Sequence, residues 1–217
     1  FDGAGGAHRL QFALDATKHG PAVSGELTLD ASASSAPLSV SARLPKGSLY
    51  TYKAIFPVSG TLRVGGDEVV YEPERDLAII DEHRSLLPYR TDWTWGTFAL
   101  RTDDGIVGAN FATRPHLGGQ EEESALWFPG VCEPLADITF TPTSDDPLAP
   151  WTITSADGRL EVTFTPVRRN TVNHQLGLFA VDYFMMYGSY RGIVRGADRD
   201  TDVNDVHGVC ENMHARL

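Results

Sequence analysis

Long apolar runs, basic charge and cysteine are all scarce in this sequence. No window approaches the roughly 18 consecutive apolar residues of a membrane-spanning helix, and the longest apolar stretch, Leu176 to Tyr187, is broken by Asp182. Lysine and arginine number 18 against 29 aspartates and glutamates, a formal net charge of −11 over 217 residues. That sign excludes a nucleic-acid or anionic-membrane binder, whose affinity rests on clustered basic side chains. Two cysteines, Cys132 and Cys210, do not make a disulfide framework for a chain of this size. Two reduced, half-buried thiols are expected, in keeping with a cytoplasmic location. The chain begins at Phe1, without an initiator methionine or a signal peptide, and is expected to be a piece of a longer one.

Several chemical signatures are missing too. There is no GxSxG elbow, P-loop, GxGxxG after a strand, or HExxH, which argues against nucleotide-dependent and α/β-hydrolase chemistry. No organic cofactor is expected. Asp81 and His83 taken with Asp205 and His207 would supply oxygen and nitrogen ligands, but their spacing does not fix four ligands around a point. No metal is expected.

What the sequence does contain is period-two alternation. Leu10, Phe12 and Leu14 alternate with polar or small residues, as do Leu27 and Leu29, and Leu38, Val40, Ala42 and Leu44. Ile138 and Phe140, Trp151 and Ile153, and Leu160, Val162 and Phe164 repeat the pattern. Each reads as a strand with one buried face. Between them fall turn clusters: Gly65-Gly66-Asp67, Asp103-Asp104-Gly105, Ala156-Asp157-Gly158 and Gly196-Ala197-Asp198. With 21 glycines and 13 prolines as punctuation, the chain predicts about a dozen short antiparallel strands in a barrel or sandwich. Only Glu121 to Trp127 and Cys210 to Leu217 are expected to form short helical turns.

A hairpin followed by Asp-x-His occurs twice, at Gly60–Asp67 with Asp81-Glu82-His83, and at Gly192–Asp198 with Asp205-Val206-His207. Such an echo suggests two β units, residues 1–112 and 113–217.

The densest polar and aromatic stretch runs from Asp81 to Trp95. Asp81 and His83, two apart on a strand, share a face and can act as an acid/base pair or as a hydrogen-bonded corner. Trp93 and Trp95 also share a face, with Arg84, Tyr89, Arg90 and Asp92 beside them. They suit a pocket wall for an apolar ligand, or a plug for the barrel floor with Arg84 or Arg90 stacked on them or paired with Asp92. Within Glu121-Glu122-Glu123, a solvated face is the ordinary reading, with Glu123 the member best placed to turn inward as an acid. Glu211 and His214, three apart, share a face if the C-terminal segment is helical.

Tyr52-Lys53, Pro57-Val58-Ser59-Gly60, Asp81-x-His83-Arg84 and Pro88-Tyr89-Arg90-Thr91-x-Trp93-x-Trp95-Gly96, with Gly108-x-Asn110-Phe111, Gly188-Ser189-Tyr190-x-Gly192 and His207-Gly208-x-x-Glu211, resemble the bacterial family of domain of unknown function 2804. The resemblance covers about residues 48–217. It implies a longer N-terminus carrying a tryptophan-rich segment, so strands are expected to be missing here. More distantly, the paired-unit pattern is similar to the lipocalin-like superfamily of AttH-type proteins, carotenoid hydratases and fungal pericyclase-type cyclases. That kinship implies calycin-like barrel units enclosing an apolar ligand, and it supplies no catalytic residue.

Two functions fit these residues, beside a structural interaction module with a filled barrel. One is a cofactor-independent enzyme that hydrates, dehydrates or cyclises a polyene- or polyketide-like substrate, with Asp81, His83 and Asp92 catalytic. Arg84, Tyr89, Arg90, Trp93, Trp95, Asn110, Glu123, His207 and Glu211 would then bind the substrate. The other is a carrier in which the same aromatics line a lipid or pigment site. The sequence carries no signal for oligomeric state.

Overall fold

The computed structural model describes residues 6–44, 46–114, 123–135 and 137–216. Strands dominate. In chain order they are β1 (Ala7–Leu14), β2 (Val23–Asp30), β3 (Leu38–Leu44), β4 (Gly47–Val64), β5 (Asp67–Tyr71), β6 (Leu77–His83), β7 (Arg90–Thr102), β8 (Gly105–Thr113), β9 (Ala125–Phe128), β10 (Val131–Pro134), β11 (Ile138–Pro142), β12 (Trp151–Ser155), β13 (Leu160–Leu176), β14 (Phe179–Arg195) and β15 (Asp200–Arg216). A short 3-10 turn spans Ala31–Ala33. All four turn clusters predicted from glycine and aspartate lie at strand junctions.

The chain divides into two compact units. The first comprises residues 1–35 and 54–80. There β2 pairs antiparallel with the second half of β4, and β5 takes the other edge of the same β4 segment. Leu29, Ile55, Phe56 and Val58 are buried in it, and His8 meets the Phe56 ring edge-on. The alternation of Leu10 and Leu14 makes a strand here but no buried face: both side chains are exposed. Among the described residues β1 is an edge strand that pairs with β2 alone.

The second unit, residues 36–53 and 81–217, holds a nine-stranded sheet in the order β10-β9-β8-β7-β15-β14-β13-β12-β11. Phe98, Phe111, Phe164, Met186, Tyr190 and Cys210 fill its inner face. The sheet curls over them, so that Phe140 on terminal strand β11 stacks 5.9 Å from Phe111 on β8. This all-β, antiparallel half-barrel is the class of fold read from the sequence.

Tyr190 shows how closely the interior is fitted. It is wholly buried, and its hydroxyl donates to the Val209 carbonyl at 2.7 Å. Its ring packs against Gly208, where an added Cβ would lie 2.4 Å from the Thr97 carbonyl oxygen and 2.7 Å from the ring. Only glycine fits so close an approach.

Both expected helical turns are corrected. Cys210 to Arg216 completes β15, hydrogen-bonded to β14 on one side and β7 on the other, and a ladder satisfied on both edges outweighs a weak local helical preference. Glu121 and Glu122 lie outside the described residues, while Ala125, Leu126 and Trp127 are strand. Glu211 and His214 therefore point to opposite faces of a strand. The cysteines are free as expected, but Cys210 is fully buried rather than half-buried.

Candidate active site

Strand alternation gives the nine-stranded sheet a second, outer face. On β7 it carries Trp93 and Trp95, whereas Phe98 belongs to the inner one. Asn110 on β8 and Glu211 on β15 join that outer face, since the Trp95 indole N–H donates to Asn110 Oδ1 at 2.8 Å and that of Trp93 to Glu211 Oε1 at 2.8 Å. The first half of β4 and the end of β6, both in the same unit, bring Thr51, Lys53, Asp81 and His83 to it.

Lys53 is the centre. The side chains of Leu49, Thr51, Lys53 and Ile55 alternate inward along β4, and the lysine is 1 % exposed. Its ammonium lies 2.8 Å from Asp81 Oδ2, 2.8 Å from Glu123 Oε1, and 4.7 Å above the Trp95 ring. Asp81 uses its other oxygen, Oδ1, to hold His83 Nε2 at 2.9 Å. The same imidazole nitrogen is 3.5 Å from Glu123 Oε1 and 3.4 Å from Thr51 Oγ1. Facing two carboxylates, Nε2 carries a hydrogen.

Glu123, 2 % exposed, is paired through Oε2 with Arg114. Asn110 ties the arrangement together, donating from Nδ2 to the Glu123 carbonyl at 2.7 Å while accepting from Trp95. Two cations and two carboxylates thus neutralise one another in a site from which water is largely removed, the condition under which buried charge is tolerated. His83, 37 % exposed, is the member that faces solvent.

The electrostatics follow from the packing. Burial, opposed by the attraction of Asp81, lowers Lys53 to about 8. Burial alone would raise the Asp81 carboxyl, but the His83 and Lys53 contacts outweigh it and hold it below its ordinary value. Burial also lowers Arg114. Glu211 accepts from the Tyr183 hydroxyl at 2.6 Å as well as from Trp93, and its charge favours the Lys53 ammonium. Met213 lies between Trp93 and Tyr183 in register, and Met185 is level with Glu211 and Trp95. Half-buried indole, thioether and phenol side chains therefore extend the outer face beside the charged cluster.

Of the residues singled out from sequence, Asp81, His83, Trp95, Asn110 and Glu123 come together around Lys53, and Trp93 and Glu211 adjoin them. Arg84 instead pairs with exposed Glu82 at 2.7 Å, and the cation over a tryptophan is Lys53, not an arginine. Tyr89 donates to the Leu178 carbonyl at 2.6 Å. His207 lines a groove with Tyr187 and Val209, and Asp205 pairs with Arg191. Among the described residues no group of three or more His, Cys, Asp or Glu side chains could hold a metal ion. Asp92 and Arg90 line a separate cavity.

Lys53, Arg114 and Thr51 had not been singled out as site residues. The available signal was a lysine at an inward position of an alternating strand, since such a charge needs buried partners.

A curled antiparallel sheet carrying a buried, mutually neutralised acid–base cluster on its outer face is the class of protein defined here. The chain belongs to the family described as Domain of unknown function (DUF2804), whose model matches residues 1–217. Among solved structures it is similar to kievitone hydratase from Nectria haematococca, at 11 % identity over 94 % of this chain and with a TM-score of 0.46. The match covers 64 % of that protein's chain. No curated protein matches the sequence.

Proposed function

We propose that this chain is a cofactor-independent enzyme that moves a proton on an apolar, unsaturated small molecule, adding or removing water or closing a ring. The observation that carries the reading is the Asp81–His83 contact, backed by an ammonium buried between two carboxylates. In the hydration direction, His83 gives its Nε2 proton to an alkene carbon. A water molecule adds to the cationic carbon and returns a proton to His83, so the enzyme is regenerated. Asp81 orients the imidazole through its Oδ1 contact with Nε2. Trp93, Met213 and Tyr183 offer an apolar surface, and the indole face favours the developing cation.

The test is turnover in heavy-oxygen water with a panel of isoprenoid alkenes and alcohols and polyketide enones, read by mass spectrometry. Label should enter one substrate class with the parent protein. His83→Ala and Asp81→Asn should abolish that incorporation while leaving binding of the same compound within a few-fold. Unchanged turnover in both variants would sink the assignment. A co-purifying lipid or pigment that binds without isotope incorporation would replace the enzyme by a carrier.

A further inference from the structure

Glu211, half-buried on β15, stands among apolar side chains on the outer face of the nine-stranded sheet. Level with it are Trp95 on β7 and Met185 on β14. The rung on one side holds Trp93, Met213 and Tyr183, and the rung on the other holds Val209 and Tyr187. Positions two apart on a strand share a face and lie roughly 7 Å from one another. Indole, thioether, phenol and valine side chains therefore surround the carboxylate.

The hydrogens within reach of Glu211 are already committed. The Trp93 indole N–H donates to Oε1 at 2.8 Å and the Tyr183 hydroxyl to Oε2 at 2.6 Å. Among the described residues these are the donors that bond it. The Lys53 ammonium feels the Glu211 charge but is turned to Asp81 and Glu123. Burial, and then the Glu211 contact, push the Tyr183 phenol up, so it keeps its hydrogen.

What remains is acceptor capacity. An ionised carboxylate has about four acceptor sites, so each Glu211 oxygen retains one. The Tyr183 oxygen keeps lone-pair capacity, and the thioethers of Met185 and Met213 are weak acceptors. A ligand group laid against Glu211 must therefore donate a hydrogen. Bare carbon or an ether oxygen would strip water from those sites without replacing it, and a second carboxylate would be repelled.

We infer that this face binds a neutral apolar alcohol or phenol, with the ligand hydroxyl donating to Glu211 and the carbon body lying along Trp93, Met213 and Met185. Beyond them Tyr187 and Val209 bound a groove of about 460 Å³ with a mostly apolar lining, which extends the bed. The proposal rests on the proton-transfer reading of the same face and adds the substrate class to it, an unsaturated alcohol or phenol rather than a hydrocarbon, an ether or an acid.

Isothermal titration calorimetry with geraniol and 4-pentylphenol tests it, each compared with its methyl ether, and with geranate as the acid. At least one hydroxyl compound should bind, about tenfold or more tightly than its ether, as loss of a hydrogen bond to a charged group implies, and geranate should bind more weakly than geraniol. Glu211→Gln, which brings N–H donors and removes the charge, should draw alcohol and ether to within a few-fold of one another. His83→Ala should leave the preference for the hydroxyl unchanged. Absence of binding by both hydroxyl compounds overturns the proposal, as do equal affinities for the ethers. Equal weakening of alcohol and ether in Glu211→Gln also overturns it, by making the carboxylate merely structural. Should that variant fail to fold, the ether comparison on the parent protein decides alone. Selective binding without isotope incorporation from heavy-oxygen water sustains this proposal and removes the proton-transfer reading. Incorporation into geranyl methyl ether as fast as into geraniol does the reverse.

Discussion

The ammonium of Lys53 and the carboxylate of Glu123 meet at 2.8 Å with 1 % and 2 % of their side-chain surface exposed. A pair so enclosed is held by its neighbours as much as by its own attraction. Asp81 supports the lysine and Arg114 the glutamate.

Removing one partner should therefore cost more than removing the charge from both. Lys53→Met is expected to lower stability by about 3–5 kcal/mol, the usual consequence of stranding a buried charge. The double variant Lys53→Met/Glu123→Gln should recover part of that loss. Urea unfolding midpoints of the two single variants and the double variant check this, and strictly additive losses would contradict it.

The pH dependence of stability should carry the mark of the same lysine. Lys53 falls to about 8 in the folded chain from an ordinary 10.5. Between those values the unfolded chain binds a proton that the native state has released, so its contribution makes stability rise with pH. The thiols act in the opposite sense: burial raises Cys210, and takes Cys132 to about 11 from 9.0. Unfolded thiols ionise first, so stability falls above about pH 9. Lys53→Met should flatten the rise that begins near about pH 8, and Cys210→Ala should soften the later fall, both read from urea midpoints across the alkaline range. On the acid side, Asp81 is held below its ordinary 3.8. Its contribution is complete above that value and disappears as pH falls through the lower folded one, a loss that Asp81→Asn should not show.

Asn110→Leu is expected to destabilise by about 1–3 kcal/mol per stranded partner. It leaves the Trp95 indole N–H and the Glu123 carbonyl without their present contacts. Tryptophan fluorescence, which reports the indole environment, should change along with the unfolding midpoint. A stable variant with parental fluorescence would count against a tie through Asn110.

Gly208→Ala should cost roughly 1–3 kcal/mol from overpacking, because the backbone of Thr97 gives no room. Thermal denaturation measures it, and Gly66→Ala is the control, with nothing within 4 Å of its added Cβ.

Much of the architecture was legible because alternation and turn residues are local signals. Leu38 to Leu44 and Leu160 to Phe164 fall within β3 and β13, and Gly65-Gly66 makes the β4–β5 turn. The C-terminal strand was misread because its support comes from β7 and β14, which no local window contains. The site was legible in part for the same reason. Asp81 and His83 are neighbours on one strand, so their contact follows from spacing. Lys53 reaches Glu123 only through the pairing of distant segments, and nothing in sequence adjacency announces it. Asp92 stands one residue from Trp93, and that single step puts it on the other side of the sheet.

The place of β15 has a consequence for synthesis. Trp93 and Glu211, joined by a hydrogen bond, are 118 residues apart, and β15 lies between β7 and β14, both made before it. As the polypeptide grows, the hairpin of β7 with β8 and that of β13 with β14 each present a bare hydrogen-bonding edge until the strand that joins them is translated. For that interval the nascent chain is open to pairing with another copy of itself. Chaperone demand and aggregation in the cell should then depend on how quickly residues 200–216 follow, more than on the stability of the finished protein.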